Sequence, residues 1–172
     1  MRLFIAINLS EEEKEQVLSV QNLLKDKAMR GSFTKQENFH LTLAFLGEIR
    51  DSQVLSIQKI MDDAPCGTFS LCFDKIGTFH RTGGNIYYLA AKPEKESVQL
   101  AEYLRKTLSH QHFEVDDKPF VPHLTLVREA VVADDKSIKV SPITLNVTKI
   151  SLMKSERLKG VLTYTSIYDK IL

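Results

Sequence analysis

Apolar positions along the chain follow two periods, and the changes between them mark out the elements. The run Leu3-Phe-Ile-Ala-Ile7 predicts a strand, and Asn8 with the acidic Glu11, Glu12 and Glu13 stops it far short of a signal core or membrane span. Ser10 and Glu13 stand in capping-box spacing, and Val17, Val20, Leu24 and Ala28 then recur every three or four residues. This predicts a helix from about Ser10 to Ala28, closed by Gly31. The segment from Asn38 to Leu46 returns to β-type residues in near alternation. Asp51 or Ser52 then caps a shorter helix carrying Val54, Ile57, Ile60 and Met61, ended by Pro65 and Gly67.

Phe69 to Phe79 reads as a strand, and Gly83-Gly84-Asn85 as the turn of a hairpin into the apolar run Ile86 to Ala91. Pro93 opens a second long helix with Val98, Ala101, Leu104 and Leu108 on one face, ending near His110 and His112. A short strand from His123 to Arg128 follows Pro119 and Pro122. Ile143 to Met153 and Val161 to Leu172 then flank the polar stretch Lys154 to Gly160 as a closing hairpin.

Laid side by side, these elements repeat: strand, long helix and a short strand containing histidine occur twice in the same order. The expected architecture is α+β, a single bilobal domain over 1–172 with an internal repeat of about 1–83 and 84–172. Each of the two pseudo-symmetric lobes is an antiparallel sheet with helices packed on the outside, and a central cleft lies between them.

The repeat carries an identical tetrapeptide, His40-Leu41-Thr42-Leu43 and His123-Leu124-Thr125-Leu126, 83 positions apart. Strand geometry puts each His and Thr on one face and the leucines on the other, so the leucines pack under helices while His and Thr face the cleft. Two imidazoles with ordinary pKa values of about 6.5 suit a general acid and a general base working on opposite sides of one phosphorus. The threonine hydroxyls are placed to donate to the non-bridging oxygens of a pentacovalent transition state. Arg128 lies five residues after His123. Strict alternation puts it on the leucine face, so either the strand ends or bulges there and the guanidinium meets phosphate, or Arg128 is a salt-bridged surface residue.

Composition narrows the classes further. A chain of 172 residues with 43% hydrophobic and 26% charged content is an ordinary folded domain, and a net charge of +1 gives no broad footprint for long nucleic acid or membrane. Cys66 and Cys72 form no disulfide framework, which points to reduced thiols and a cytoplasmic location. No glycine-rich phosphate loop and no zinc spacing is present, and two histidines alone lack further metal ligands, so neither cofactor nor metal is expected. His80-Arg81, His110 and His112 read as solvated, and Tyr87, Tyr88 and Phe120 as core aromatics rather than base platforms. Lys154, Arg157 and Lys159 form a basic turn that reads equally well as a plain hairpin tip or as a contact for an anionic tail.

The paired motifs resemble those of the 2H phosphoesterases, and within them the bacterial and archaeal RNA 2′,3′-cyclic phosphodiesterases, once called 2′-5′ RNA ligases. The resemblance runs through Arg2 to Ile7, Asn38 to Gly47, Phe120 to Arg128, and a tail with Leu152, Ser155, Gly160 and Tyr164. It implies hydrolysis of a terminal 2′,3′-cyclic phosphate to a 2′-phosphate, with His40 as proton donor and His123 as proton acceptor. Thr42, Thr125 and Arg128 would bind the phosphate. It also implies 2′-5′ RNA ligation when an RNA 5′-hydroxyl replaces water. Partners are then RNA ends or small cyclic-phosphate nucleotides, without membrane or obligatory protein partner, and the chain is expected to be a monomer. The rival expectations are a phosphodiesterase for a small cyclic nucleotide or a 2′-5′ oligonucleotide, and a non-catalytic module that binds nucleotides or RNA ends.

Overall fold

The capping box predicted at the first helix is formed: the Ser10 hydroxyl accepts from the Glu13 amide at 3.1 Å and the Ser10 amide donates to the Glu13 carboxylate at 2.8 Å. In the computed structural model, which describes residues 1–116 and 118–172, this box starts α1 (Glu11–Lys27) directly after β1 (Arg2–Asn8). Glu11, Glu12 and Glu13 sit at its positive end and Lys25 and Lys27 at its negative end, both favourable to the helix dipole. Its buried side, Val17, Val20, Gln21 and Leu24, follows the predicted spacing with one polar member.

Gly31 does not close α1. The chain turns extended at Ala28 and continues as β2 (Ala28–Phe33), an edge strand on β6 (His123–Val132). Glycine is required there by close approach, since a Cβ at position 31 would stand 2.6 Å from a Val127 methyl and 3.2 Å from Ala130 Cβ. The strand β3 (His40–Glu48) and the helix α2 (Val54–Asp62) follow, then the hairpin of β4 (Phe69–Phe79) and β5 (Asn85–Ala91). The second long helix, α3 (Lys95–His110), starts two residues after Pro93.

The last third of the chain departs from its sequence pattern in three places. The strand β6 runs past Arg128 to Val132. The stretch from Ile143 to Met153 is two strands, β7 (Ile143–Val147) and β8 (Lys149–Leu158), which belong to different sheets. The polar segment 154–160 turns only at Lys159 and Gly160, both at positive φ, so Lys154 and Arg157 ride on β8 opposite β9 (Val161–Ile171).

The strands form two antiparallel sheets, one in the order β3-β1-β8-β9 and one in the order β2-β6-β5-β4-β7. Each histidine strand lies beside the opening strand of its own repeat, β3 on β1 and β6 on β5. The lobes are nevertheless interleaved, so the halves 1–83 and 84–172 are not the lobes. The C-terminal β8 and β9 complete the sheet of His40, while β2 and β4 from the first half flank the sheet of His123. The helices cross over as well: α1 packs on β2, β6 and β7, and α3 packs on β3 and α2.

Leu41, Leu43, Leu124 and Leu126 are all fully buried in the main core. Burying each contributes about 2 kcal/mol, and a one-residue slip would turn all four toward solvent. The same preference holds His40, Thr42, His123 and Thr125 on the opposite, half-buried face.

Candidate active site

Both histidine strands break their alternation at equivalent positions. Along β1 and β3 the pairing steps from Ile5↔Ala44 to Ala6↔Thr42, leaving Leu43 as the extra residue of a bulge. Along β5 and β6 it steps from Tyr87↔Val127 to Tyr88↔Thr125, leaving Leu126 extra. Each bulge buries two successive residues, Leu43 with Ala44 and Leu126 with Val127, and so turns the next side chain to the cleft face. That side chain is Phe45 in one strand and Arg128 in the other. The bulge thus puts Arg128 on the cleft face instead of the leucine face, and none of the ion pairs among the described residues engages it.

The two imidazoles are held in the same way. His40 donates Nδ1–H to the Asn38 carbonyl at 2.7 Å, and His123 donates Nδ1–H to the Val121 carbonyl at 2.6 Å, each two residues back in the chain. A carbonyl only accepts, so Nδ1 keeps its proton and Nε2 is the nitrogen that gains or loses one. His40 Nε2 lies 3.1 Å from the Thr42 hydroxyl. Asn38 is anchored in turn by its side-chain amide, which donates to the Leu162 carbonyl on β9 at 3.0 Å.

Aromatic rings fix the imidazole planes. Phe4 of β1 and Tyr164 of β9 stand 4.9 and 5.0 Å from the His40 ring. Phe79 of β4 and Tyr88 of β5 stand 5.4 and 5.2 Å from that of His123, and stack on each other at 4.3 Å. Tyr88 reaches this position across Gly77, where a Cβ would come within 2.4 Å of its ring. Gly77→Ala is therefore expected to displace Tyr88, cost about 1–3 kcal/mol of stability in urea unfolding and, if the His123 imidazole takes part in the reaction, lower turnover about tenfold. Unchanged turnover in a folded Gly77→Ala protein would show that the ring does not position the imidazole.

Burial lowers the pKa of His40 below its ordinary value. The Asn38 carbonyl opposes this, while the positive charges of Arg128 and His123 add to the lowering. Burial likewise lowers that of His123, against its Val121 carbonyl and together with the charges of Arg128 and Arg105. An anion bound beside Arg128 would offset these charges and raise both values again.

Three hollows meet at these side chains. One of about 390 Å³ brings His40, Thr125, Arg128, Arg157 and Tyr164 together. A second, about 740 Å³, joins His40 and Thr42 to Phe4, Arg128 and Lys154. A third, about 630 Å³, holds His123 and Thr42 with Phe45, Phe79 and Phe120. Each threonine thus shares a hollow with the histidine of the other motif. Among the described residues no group of three His, Cys, Asp or Glu side chains is arranged to hold a metal ion, and no helix is long and apolar enough to cross a membrane.

A family model described as LigT like Phosphoesterase matches residues 7–87 and again 89–163, one match for each histidine motif. The chain belongs to the LigT-like phosphoesterases. The RNA 2′,3′-cyclic phosphodiesterase of Thermotoga maritima is 29% identical over 175 residues, covering 100% of this chain and 93% of that protein. The enzyme of the same name from Escherichia coli K12 is 29% identical over 171 residues, covering 96% and 93%. The crystal structure of Escherichia coli LigT complexed with 3′-AMP superposes with a TM-score of 0.84 at 28% identity, covering 99% of this chain and 97% of that one. As a LigT-like phosphoesterase the chain is a hydrolase with the two-sheet fold expected from its repeat.

The structure brings His40, Thr42, Thr125 and Arg128 around adjoining hollows, and His123 with Thr42. Lys154 and Arg157, assigned by sequence to a turn, line the His40 side. Tyr87 is core, while Tyr88 turns out to flank His123 and Phe120 lies under the Arg105 guanidinium at 5.5 Å. His80, Arg81, His110 and His112 are exposed. Phe79 and the carbonyls of Asn38 and Val121 carry no sequence signal of their role. An aromatic residue stands 36 positions before each motif histidine, Phe4 before His40 and Tyr87 before His123, but the ring that flanks His123 is that of Tyr88.

Proposed function

We propose that this LigT-like phosphoesterase opens the 2′,3′-cyclic phosphate at an RNA end to a 2′-phosphate, using the two histidines as acid and base. The observation that carries the reading is the matched pair of imidazoles, each with Nδ1–H given to a backbone carbonyl and Nε2 left to exchange protons, on two strands that face one cleft. His123 Nε2 takes a proton from water as the water oxygen attacks phosphorus. The P–O3′ bond breaks, and His40 Nε2–H delivers its proton to O3′, leaving a 3′-hydroxyl and a 2′-phosphate. Thr42, Thr125 and Arg128 hold the non-bridging oxygens, where Arg128 neutralises charge that grows in the transition state. Proton exchange with solvent returns the pair to its starting state.

An RNA 5′-hydroxyl in place of water would give a 2′-5′ linkage by the same steps, although about 55 M water favours hydrolysis by mass action. The basic side chains of Arg157 and Lys154 beside His40 offer a path for the upstream phosphates of an RNA chain. A second reading, a mononucleotide cyclic phosphodiesterase, is favoured by the solved complexes of Escherichia coli LigT with 3′-AMP, NADP+ and ATP. We read the protein as a single-chain cytoplasmic enzyme, consistent with the free thiols of Cys66 and Cys72.

Phosphorus NMR of a short RNA ending in a 2′,3′-cyclic phosphate, with EDTA present, tests the reading. The expected product is the 2′-phosphate alone. A 3′-phosphate would mean that the leaving oxygen is O2′, and an untouched RNA alongside an opened cyclic mononucleotide would favour the second reading.

A further inference from the structure

The extra residue of a β-bulge leaves the ladder, so its carbonyl needs a donor from outside the sheet when it is buried. Here the extra residues are Leu43 and Leu126, and both carbonyls receive a side-chain donor from a helix of the other repeat. Arg105 of α3 donates Nε–H to the Leu43 carbonyl at 2.9 Å and Nη1–H to the Lys118 carbonyl at 2.7 Å. Gln21 of α1 donates both hydrogens of Nε2, one to the Leu126 carbonyl at 2.7 Å and one to the Thr34 carbonyl at 2.7 Å.

The two sets of partners correspond. Thr34 lies in the segment that enters His40, and Lys118 in the segment that enters His123. Gln21 and Arg105, like Thr34 and Lys118, are 84 positions apart, while Leu43 and Leu126 are 83 apart. The atoms correspond too, because glutamine Nε2 and arginine Nε are both bonded to Cδ. Gln21 is buried and lines none of the three hollows.

We propose that Gln21 and Arg105 are reciprocal positioning residues. Each ties the segment entering its own repeat's histidine to the bulge of the opposite histidine strand, so that the two His-x-Thr motifs keep one fixed relation across the cleft. Without the donor, the Leu43 carbonyl loses its side-chain partner and the Leu126 carbonyl keeps only the Thr34 amide at 2.9 Å, and a strand can restore the lost bond by losing the bulge. That change would turn Phe45 or Arg128 off the cleft face and shift the motif that precedes it.

The test compares Arg105→Met, Arg105→Lys, Arg105→Gln and Gln21→Met in the full chain, and its kinetic arm rests on the cyclic phosphodiesterase reading. Lysine keeps the charge but has a methylene where arginine has Nε, whereas glutamine keeps the donor and loses the charge. Arg105→Lys, Arg105→Met and Gln21→Met are expected to lower kcat about 10- to 100-fold with KM within about threefold, since small misplacements of reacting groups cost that much. Arg105→Gln is expected to keep kcat within about threefold at its optimum, with a profile moved to higher pH because a positive charge near His123 is gone.

A second arm needs no activity. In amide NMR spectra, Arg105→Met should shift Ala44 and Phe45 in the opposite repeat, Gln21→Met should shift Val127 and Arg128, and Arg105→Gln should restore Ala44 and Phe45 toward wild type. The proposal is overturned if Arg105→Gln and Arg105→Met lose kcat equally, if the losses follow Tm rather than the presence of the donor, or if the crossed shifts are absent. Should wild type leave the cyclic phosphate intact, the functional reading fails by itself and the NMR arm alone decides the clamp.

Discussion

His40→Ala and His123→Ala are each expected to cut kcat/KM for an RNA 2′,3′-cyclic phosphate by about 10²- to 10⁴-fold, the range over which a positioned acid or base accelerates proton transfer. Both proteins should stay folded, because the imidazoles are half-buried at the start of their strands and the leucines beneath them hold the register. Replacing the bridging O3′ of the substrate by sulfur then separates the roles. A thiolate leaves without a proton, its conjugate acid having a pKa of about 8.5 as for cysteine, so the variant that lacks the acid is rescued and the one that lacks the base is not. Rescue of His40→Ala alone agrees with His40 as donor; rescue of His123→Ala alone would exchange the two assignments. Loss of activity in neither variant would remove both histidines from the mechanism.

If the proposed mechanism holds, Arg128→Gln is expected to lower kcat/KM about 10²- to 10³-fold, because it removes the full charge assigned there to the growing negative charge of the transition state. It should also move the pH profile. In the free protein both imidazole pKa values lie below their ordinary value, chiefly through burial, and Arg128 contributes to the lowering at each. A base must be neutral and an acid protonated, so the wild-type kcat/KM profile should be a bell whose maximum falls on the acid side of an ordinary histidine, with apparent values that belong to the pair. Taking the guanidinium away raises both imidazole values, and the bell should shift to higher pH. The profile of kcat should already lie higher in wild type, because the bound anion offsets the same charge. Proton NMR titration of the imidazole C–H signals in the unliganded proteins reads the shift without turnover. A shift to lower pH in Arg128→Gln would contradict the placement of the guanidinium beside both rings.

Periodicity made the strands and helices of the first two thirds legible, the exposed edge strand β2 excepted, because each of the others buries one face against the core and its apolar spacing records that face. The candidate site residues were legible for a different reason: duplication printed His-Leu-Thr-Leu twice, and alternation put His and Thr together on the polar face. What stayed hidden depends on relations between strands. Leu43 and Leu126 look like ordinary alternating residues, and only their pairing with β1 and β5 shows them as bulges that aim Phe45 and Arg128. Gly31 has the look of a helix terminator, yet its reason is the Val127 methyl packed against it from 96 residues away in sequence. Gln21 stands on an otherwise apolar helix face with no local partner, because its partners come from two distant carbonyls. The segment 154–160 is polar like a turn, but its first residues line a hollow open at the surface, and strand residues that face water are polar for the same reason as turns.

The interleaving of the sheets also sets the order in which the molecule can become competent during synthesis. His40, its threonine and its opening strand leave the ribosome early, but β1 has no neighbour on its second side until β8 appears, and Tyr164 closes over His40 only with β9. The sheet of His123 is similarly short of β7 until residue 147 is made. A nascent chain therefore carries both motifs for some time before either is boxed in, and its unpaired strand edges are open to misassembly until the last strand docks. Activity then arrives late and all at once, and a chain stopped before β9 should be a folding intermediate without a working site rather than a weaker enzyme.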